Sequence, residues 1–239
     1  MKQNDRIIGL IGGMGPHASA YFYDMLLKKS NALYGAKNND DYPEILIDSV
    51  PVPDFISDTS KMEYARKMLI SRIQRLNNYG CSVVAMVCNT GHILYPELSK
   101  HSKVEFISLI NLVAKAAKDR KLKRVGILAT QTTIKTGLYS KALSTLGIKP
   151  FHPTLDMQEY HEKVIRDVIS GSNTGAHKIK LYEMTNRFIK NNNLDGIILG
   201  CTELPLVFPK DQFNNVVDCL EVLSNELLGR YYQKDVKYE

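Results

Sequence analysis

The chain has 239 residues, room for one large domain or two small ones with a core each. Hydrophobic residues make up 44% and charged residues 23%, with 15 Gly and 9 Pro, which excludes a disordered, collagenous or coiled-coil chain. The net charge of +6 raises nucleic acid as a partner, but the densest cationic run, Lys118-Asp119-Arg120-Lys121-Leu122-Lys123-Arg124, follows an apolar-periodic stretch and reads as a helix C-terminus opposing its dipole; no nucleic-acid partner is expected.

Ile7–Ile11 reads as a buried strand that runs into Gly12-Gly13-Met14-Gly15-Pro16. Pro16 suits the first helical turn, where its missing N–H costs nothing, and the helix continues through Tyr21, Met25 and Leu26. Lys2 and Arg6 before this segment imitate a signal peptide. The apolar part is only eight residues, three of them Gly, and Asp5 sits in the positive region, so the expected location is cytoplasmic. Glu44–Val50 is the second strand, and Pro51-Val52-Pro53-Asp54 after it is irregular. Ser60 and Glu63 form a capping box for a helix to about Asn78. Val83–Val87 is a short apolar strand followed by Cys88-Asn89-Thr90-Gly91-His92. Glu105–Ile110 is a fourth strand, with a helix to about Lys118.

The pattern then restarts. Val125–Ala129 is a strand ending in Thr130-Gln131-Thr132-Thr133; a helix and a strand at Lys149–His152 follow. Two helical stretches run from Met157 to Asn191, and Gly196–Leu199 is a strand ending in Gly200-Cys201-Thr202-Glu203. Val216–Val217 is extended and Cys219–Tyr231 is a closing helix. No stretch approaches the ~18 apolar residues of a membrane span. Strand–helix alternation predicts an α/β fold with mainly parallel sheets flanked by helices. The strand at Gly9 and that at Gly126 lie 117 residues apart, and Cys88 and Cys201 lie 113 apart. Two landmarks at nearly one offset predict a duplicated unit. The expected division is 1–108 plus 212–239 as one α/β domain and 109–211 as the other.

The four cysteines, at 81, 88, 201 and 219, contain no C-x-x-C, so neither a disulfide scaffold nor a zinc knuckle is expected. No H-E-x-x-H occurs, and no metal site is expected. Cys81 and Cys219 read as small core hydrophobes. Cys88 and Cys201 differ: each ends an apolar strand and precedes short polar residues. Helix N-termini there would stabilise thiolates and bring the thiols toward neutral pKa values. Two such groups on opposite faces of one carbon deprotonate it from one side and reprotonate it from the other, inverting a stereocentre without a cofactor. Asn and Thr side chains with backbone N–H groups would hold a carboxylate and the developing enolate charge.

Gly13-Met14-Gly15-Pro16-His17-Ala18 also matches G-x-G-x-x-A, with Asp48 placed to meet a ribose. A non-catalytic binder of a small anion or nucleotide through the Gly13 turn is therefore a second reading. His92 either orients the Cys88 loop or is an ordinary surface or helix-start histidine.

At these residues the sequence resembles the aspartate/glutamate racemase family, over nearly the whole chain. The resemblance rests on Ile11-Gly12-Gly13-Met14-Gly15-Pro16, Cys88-Asn89-Thr90-Gly91-His92 and Gly200-Cys201-Thr202-Glu203, in that order and spacing. It implies two similar α/β domains with the active site in the cleft between them, no pyridoxal phosphate or other cofactor, an amino-acid substrate and a homodimer. It implies Cys88 and Cys201 as the acid/base thiols, with Met14, Asn89, Thr90, Gly91, Thr202 and Glu203 at the substrate. Aspartate-specific relatives carry Pro-Asp-Arg where this chain has Pro53-Asp54-Phe55, and a Lys where it has Ile169-Ser170-Gly171-Ser172-Asn173. Both cations that would meet a side-chain carboxylate are missing, and Ser57 or Thr59 is the neutral replacement. Gly91 stands where Ala is usual. Hydantoin racemase, maleate isomerase and decarboxylase are alternatives within the same superfamily.

Overall fold

The computed structural model describes residues 6–53, 55, 59–172 and 175–234, with Thr59 described by its backbone alone. Asp54, Ser57, Asn173 and the Thr59 side chain, all singled out above, lie outside the described residues. Among the described residues, eight strands form two four-stranded parallel sheets. The chain divides into two compact units, 6–108 with 223–234, and 109–222.

The first unit is built from β1 (Ile7–Gly12), α1 (Pro16–Tyr34), β2 (Glu44–Ser49), α2 (Met62–Tyr79), β3 (Val83–Met86), α3 (Tyr95–Leu98) and β4 (Glu105–Ile107). Its strand order is β2-β1-β3-β4, and Gly9 pairs with Leu46 on one side and Val84 on the other. Pro16 begins α1 as expected, and Gly35 ends it at φ 75°, donating back to Asn31. Ser60 is not the N-cap of α2. A three-residue 3-10 turn, Thr59–Lys61, leads into α2, whose N-cap is Lys61, and Glu63 instead pairs with Arg66 one turn on, at 2.5 Å. The fourth strand stops at Ile107 and not Ile110, because Leu109 and Ile110 already begin the next helix; all these residues but Ser108 are apolar and buried, so periodicity does not mark the change.

The second unit contains α4 (Leu109–Asp119), β5 (Arg124–Leu128), α5 (Gln131–Thr136), α6 (Leu138–Thr145), β6 (Lys149–Phe151), α7 (Leu155–Ile169), α8 (His177–Asn192), β7 (Gly196–Leu199), β8 (Val216–Asp218) and the start of α9 (Cys219–Tyr232). Its order, β6-β5-β7-β8, repeats that of the first sheet. The single helix expected after β5 is two, because Gly137 at φ 68° breaks it. β8 pairs with β7, so residues 212–222 go with the second unit and the return to the first comes inside α9.

The basic run at 118–124 is used inside the fold. Lys118 donates to Leu146 O at 2.9 Å and Arg120 to Val216 O at 2.8 Å; Arg124 caps the α8 carbonyls of Asn192 and Asn193. No helix among the described residues is long and apolar enough to cross a membrane.

Each unit has its own core. That of the second unit carries a polar intruder: His161 on α7 is fully buried, neither ring nitrogen has a hydrogen-bond partner among the described residues, and burial pulls its pKa down to about 4. An unpaired buried polar group costs about 1–3 kcal/mol. His161→Leu is therefore expected to raise the melting temperature by roughly 2–4 °C per kcal/mol recovered. The sign of the pH effect follows from linkage. Between the ordinary histidine value of 6.5 and about 4 the unfolded chain takes up a proton that native His161 refuses, so stability is lost as pH falls through that window. Melting curves across that range should show a shallower acid loss in the Leu variant; equal slopes for both proteins would contradict this account.

Candidate active site

β3 is buried along its whole length, and Val87 N–H prolongs its ladder by donating to Ile11 O at 2.9 Å. Cys88 is the next residue, at the carboxyl end of a central strand, where parallel α/β sheets expose their chemistry. A 3-10 turn, Thr90–Leu94, follows at once. Its Gly91 N–H donates to Cys88 Sγ at 3.4 Å, a bond that favours the sulfur as an acceptor. Asn89 and Thr90 are buried beside it. A Cβ on Gly91 would stand 2.9 Å from Met86 Sδ and 3.5 Å from Cys88 Sγ, so the absent methyl leaves its space to the Met86 side chain.

His92 is neither a surface nor a merely helix-start residue. It is buried, its Nδ1–H donates to Cys88 O at 2.7 Å, and its ring stacks on Tyr95 at 5.6 Å. Tyr95 in turn donates its hydroxyl to Phe106 O on β4 at 2.8 Å. Burial lowers the His92 pKa to about 4, so the imidazole is neutral at pH 7 and serves as a strut for the loop.

Cys88 shares an apolar cluster with Ile11, Val50, Phe55 and Met86, against which Met14 and Val52 pack. Met14 thus packs against the core cluster that holds Cys88 and buried Phe55.

The glycine turn is spoken for. Gly13 adopts φ 89°, and a Cβ there would lie 2.6 Å from both backbone N and O of Val50. Its N–H donates to Ser19 Oγ at 2.9 Å, and that hydroxyl donates to Gly15 O at 3.0 Å. Asp48 faces Arg72 and Arg75 of α2, at 3.9 and 3.4 Å. The two groups on which a nucleotide reading depends are both engaged within the fold.

The second cysteine loop follows β7, the counterpart of β3 in the repeated strand order. Gly200 N–H donates to Leu128 O at 2.7 Å, and a Cβ at Gly200 would come 2.7 Å from the buried Tyr139 ring. Burial, with Cys219, Cys201 and Asp218 nearby, holds that phenol protonated. Cys201, Thr202 and Glu203 are all buried. The Cys201 thiol donates to Glu203 Oε2 at 2.9 Å, and the Thr202 hydroxyl donates to the same oxygen at 3.0 Å. Glu203 therefore lies on the sulfur itself, a contact that adjacency in sequence does not announce.

Sequence reasoning missed the support beneath this loop. Asp218 Oδ1 accepts from Leu220 N at 2.8 Å at the start of α9, and Lys210 Nζ stands 2.6 Å from both Asp218 and Glu221. An Asp between a strand and a helix is a legible N-cap signal. Its pairing with Lys210 is a matter of tertiary structure. Among the described residues no group of His, Cys, Asp and Glu is placed to hold a metal ion.

Residues 11–227 match the family model described as Asp/Glu/Hydantoin racemase. The chain is 27% identical over 226 residues to the broad specificity amino-acid racemase RacX of Bacillus subtilis, covering 94% of this chain and 98% of that one. It is similar in structure to the aspartate racemase of Picrophilus torridus, with TM-score 0.82, 28% identity and coverage of 97% and 96%. An aspartate racemase homologue from Pyrococcus horikoshii gives TM-score 0.80 at 25% identity, covering 95% of this chain and 99% of that one. The match to the family model spans both units and takes in both cysteine loops: this chain belongs to the Asp/Glu/Hydantoin racemase family.

Proposed function

We propose that the protein is a cofactor-independent amino-acid racemase in which Cys88 and Cys201 act on opposite faces of one α-carbon. The observation that carries this reading is that the two sulfurs, at equivalent strand ends, are held in complementary states: Cys88 accepts an N–H, and Cys201 donates to a carboxylate. One is set to take a proton and the other to give one. The Cα–H bond breaks toward Cys88 Sγ as its S–H bond forms. The electron pair delocalises into the substrate carboxylate, and the Cys201 S–H bond breaks as a new Cα–H bond forms on the other face. Asn89, Thr90, Gly91 and Thr202 are the groups proposed to hold the substrate carboxylate and its developing charge. Met14 lines the same site from the first turn, and homodimerisation and a cytoplasmic location complete the reading.

The side chain this site accepts is proposed to be uncharged. Buried Phe55, which stands where aspartate-specific relatives carry Arg, supports that, since it offers a side-chain carboxylate no cation.

Pure protein incubated with single amino-acid enantiomers in heavy water, without pyridoxal phosphate, should yield the other enantiomer with deuterium at the α-carbon. Cys88→Ala and Cys201→Ala should each abolish conversion, and full activity in either variant ends the two-thiol mechanism. Turnover of a hydantoin with no amino acid racemised would transfer the chemistry to that substrate class. On the side-chain question, Phe55→Arg should raise kcat/KM for aspartate relative to a neutral amino acid by at least about tenfold, the worth of one charge-assisted pair. An unchanged ratio would remove Phe55 from the specificity determinants.

A further inference from the structure

The two sulfurs occupy matched places in the two sheets, yet their immediate partners differ. Cys88 has a backbone N–H pointing at it. Cys201 has a buried carboxylate, and on that carboxylate two donors, the Cys201 thiol and the Thr202 hydroxyl, converge on one oxygen. Two donors on a single oxygen is the arrangement an ionised carboxylate satisfies, since it is acceptor only. From this geometry we infer that Glu203 is a positioning residue that holds the proton on Cys201, so that the resting enzyme carries its thiolate at Cys88 and its thiol at Cys201. The catalytic meaning of this asymmetry rests on the racemase reading above; the protonation order itself does not.

The other titratable groups described near Cys201 in the second unit are engaged or neutral as follows. Tyr139 on α6 is kept protonated by burial. Asp218, at the β8–α9 junction, is paired with Lys210, which Glu221 also contacts. Cys219 is buried, and His161 on α7 is neutral at pH 7 because burial lowers its pKa to about 4. On the Cys88 side His92 is likewise neutral and spends Nδ1–H on the Cys88 carbonyl. Glu203 is bonded directly to the Cys201 sulfur.

The consequence is a preferred starting direction. A resting enzyme with thiolate at Cys88 is loaded for the enantiomer that presents its α-hydrogen there. After one turnover the proton sits on Cys88, and Cys201 is a thiolate 2.9 Å from Glu203, where like charges repel. Return to rest needs a proton to leave Cys88 and one to reach Cys201, by way of solvent or by a turnover in the opposite sense. Because the two enantiomers are equal in free energy, kcat/KM is the same in both directions. Glu203 therefore acts on the partition between kcat and KM for each enantiomer.

The test is thiol titration in the full-length protein labelled with 13Cβ-cysteine, read by NMR without substrate, with Cys88→Ser and Cys201→Ser assigning the two signals. In the wild type Cys88 should lose its proton at lower pH than Cys201. Glu203→Gln should bring the Cys201 midpoint down by at least one pH unit and leave that of Cys88 in place, and Glu203→Asp, which keeps the charge but shortens its reach, should fall between. A wild type in which Cys201 titrates at or below Cys88 overturns the inference, even if neither variant folds; so does a Cys201 midpoint unmoved in Glu203→Gln. In racemisation assays Glu203→Gln should narrow the difference in kcat between the enantiomers with kcat/KM still equal in the two directions. Absence of racemisation by the wild type would refute the activity while leaving the titration result standing.

Discussion

A sulfur can act as acid or base only if the chain holds it at a fixed point, and here that point is the carboxyl end of a strand locked on both edges. β3 is bonded between β1 and β4, and β7 between β5 and β8, and every residue of each strand is buried. A parallel strand in this position has no freedom to slip, because a one-residue shift would turn its buried side chains to the opposite face. The last bonds of the ladders, Val87 to Ile11 and Gly200 to Leu128, run to the residue just before each cysteine. The two proposed reacting atoms thus sit one residue beyond a rigid lattice. The polar residues after them, Asn89-Thr90 and Thr202-Glu203, are buried, and a short 3-10 turn begins at Thr90 in one loop and at Leu204 in the other.

The two halves use the same construction with different fittings. In both, a glycine in the first strand lets a covering element approach. A Cβ on Gly9 would meet Cys81 and Leu76, and one on Gly126 would meet Phe188, Ile197 and Leu194. This repeated device, with the repeated strand order, is what a duplicated unit would retain. The divergence lies in the loops: in one half a backbone N–H donates to the sulfur and a neutral imidazole to the cysteine carbonyl, and in the other the sulfur and a hydroxyl both donate to one carboxylate. In the two-thiol reading proposed above, a repeated fold thereby supplies an asymmetric acid/base pair, which is what moving a proton across a carbon demands.

Much of this was legible in the sequence, and the reasons for success and failure are physical. Val83–Val87 and Gly196–Leu199 announce themselves because strands buried on both faces need unbroken apolar runs, and the polar tripeptides after them mark where burial changes character. The start of α1 was readable from Pro16 and its end lay in Gly35. The break at Gly137 was hidden, because a glycine in a helical pattern is common and only its positive φ ends the helix. Ser60 and Glu63 had the spacing of a capping box, but Arg66 competes for the carboxylate and wins. His92 gave no sign of its burial, since His is equally at home inside and outside. Glu203 was read as a group for the substrate, because nothing in a sequence tells whether a carboxylate two residues from a thiol turns toward it.

The route of the chain through its two units also orders its birth. Residues 109–222 are continuous and contain a whole sheet with its helices, whereas the first unit takes its final segment from 223–234. Those late residues are not ornamental: Arg230 pairs with Glu105, Arg6 donates to Arg230 O, and Tyr232 stacks on Tyr34 at 4.3 Å. On the ribosome the N-terminal unit therefore emerges with its sheet complete but without its closing helical segment, while the unit synthesised after it is one continuous stretch. Synthesis from the N-terminus ordinarily favours the earlier domain. Here the later one can reach its native state first, and the earlier one closes only when the last helix leaves the exit tunnel.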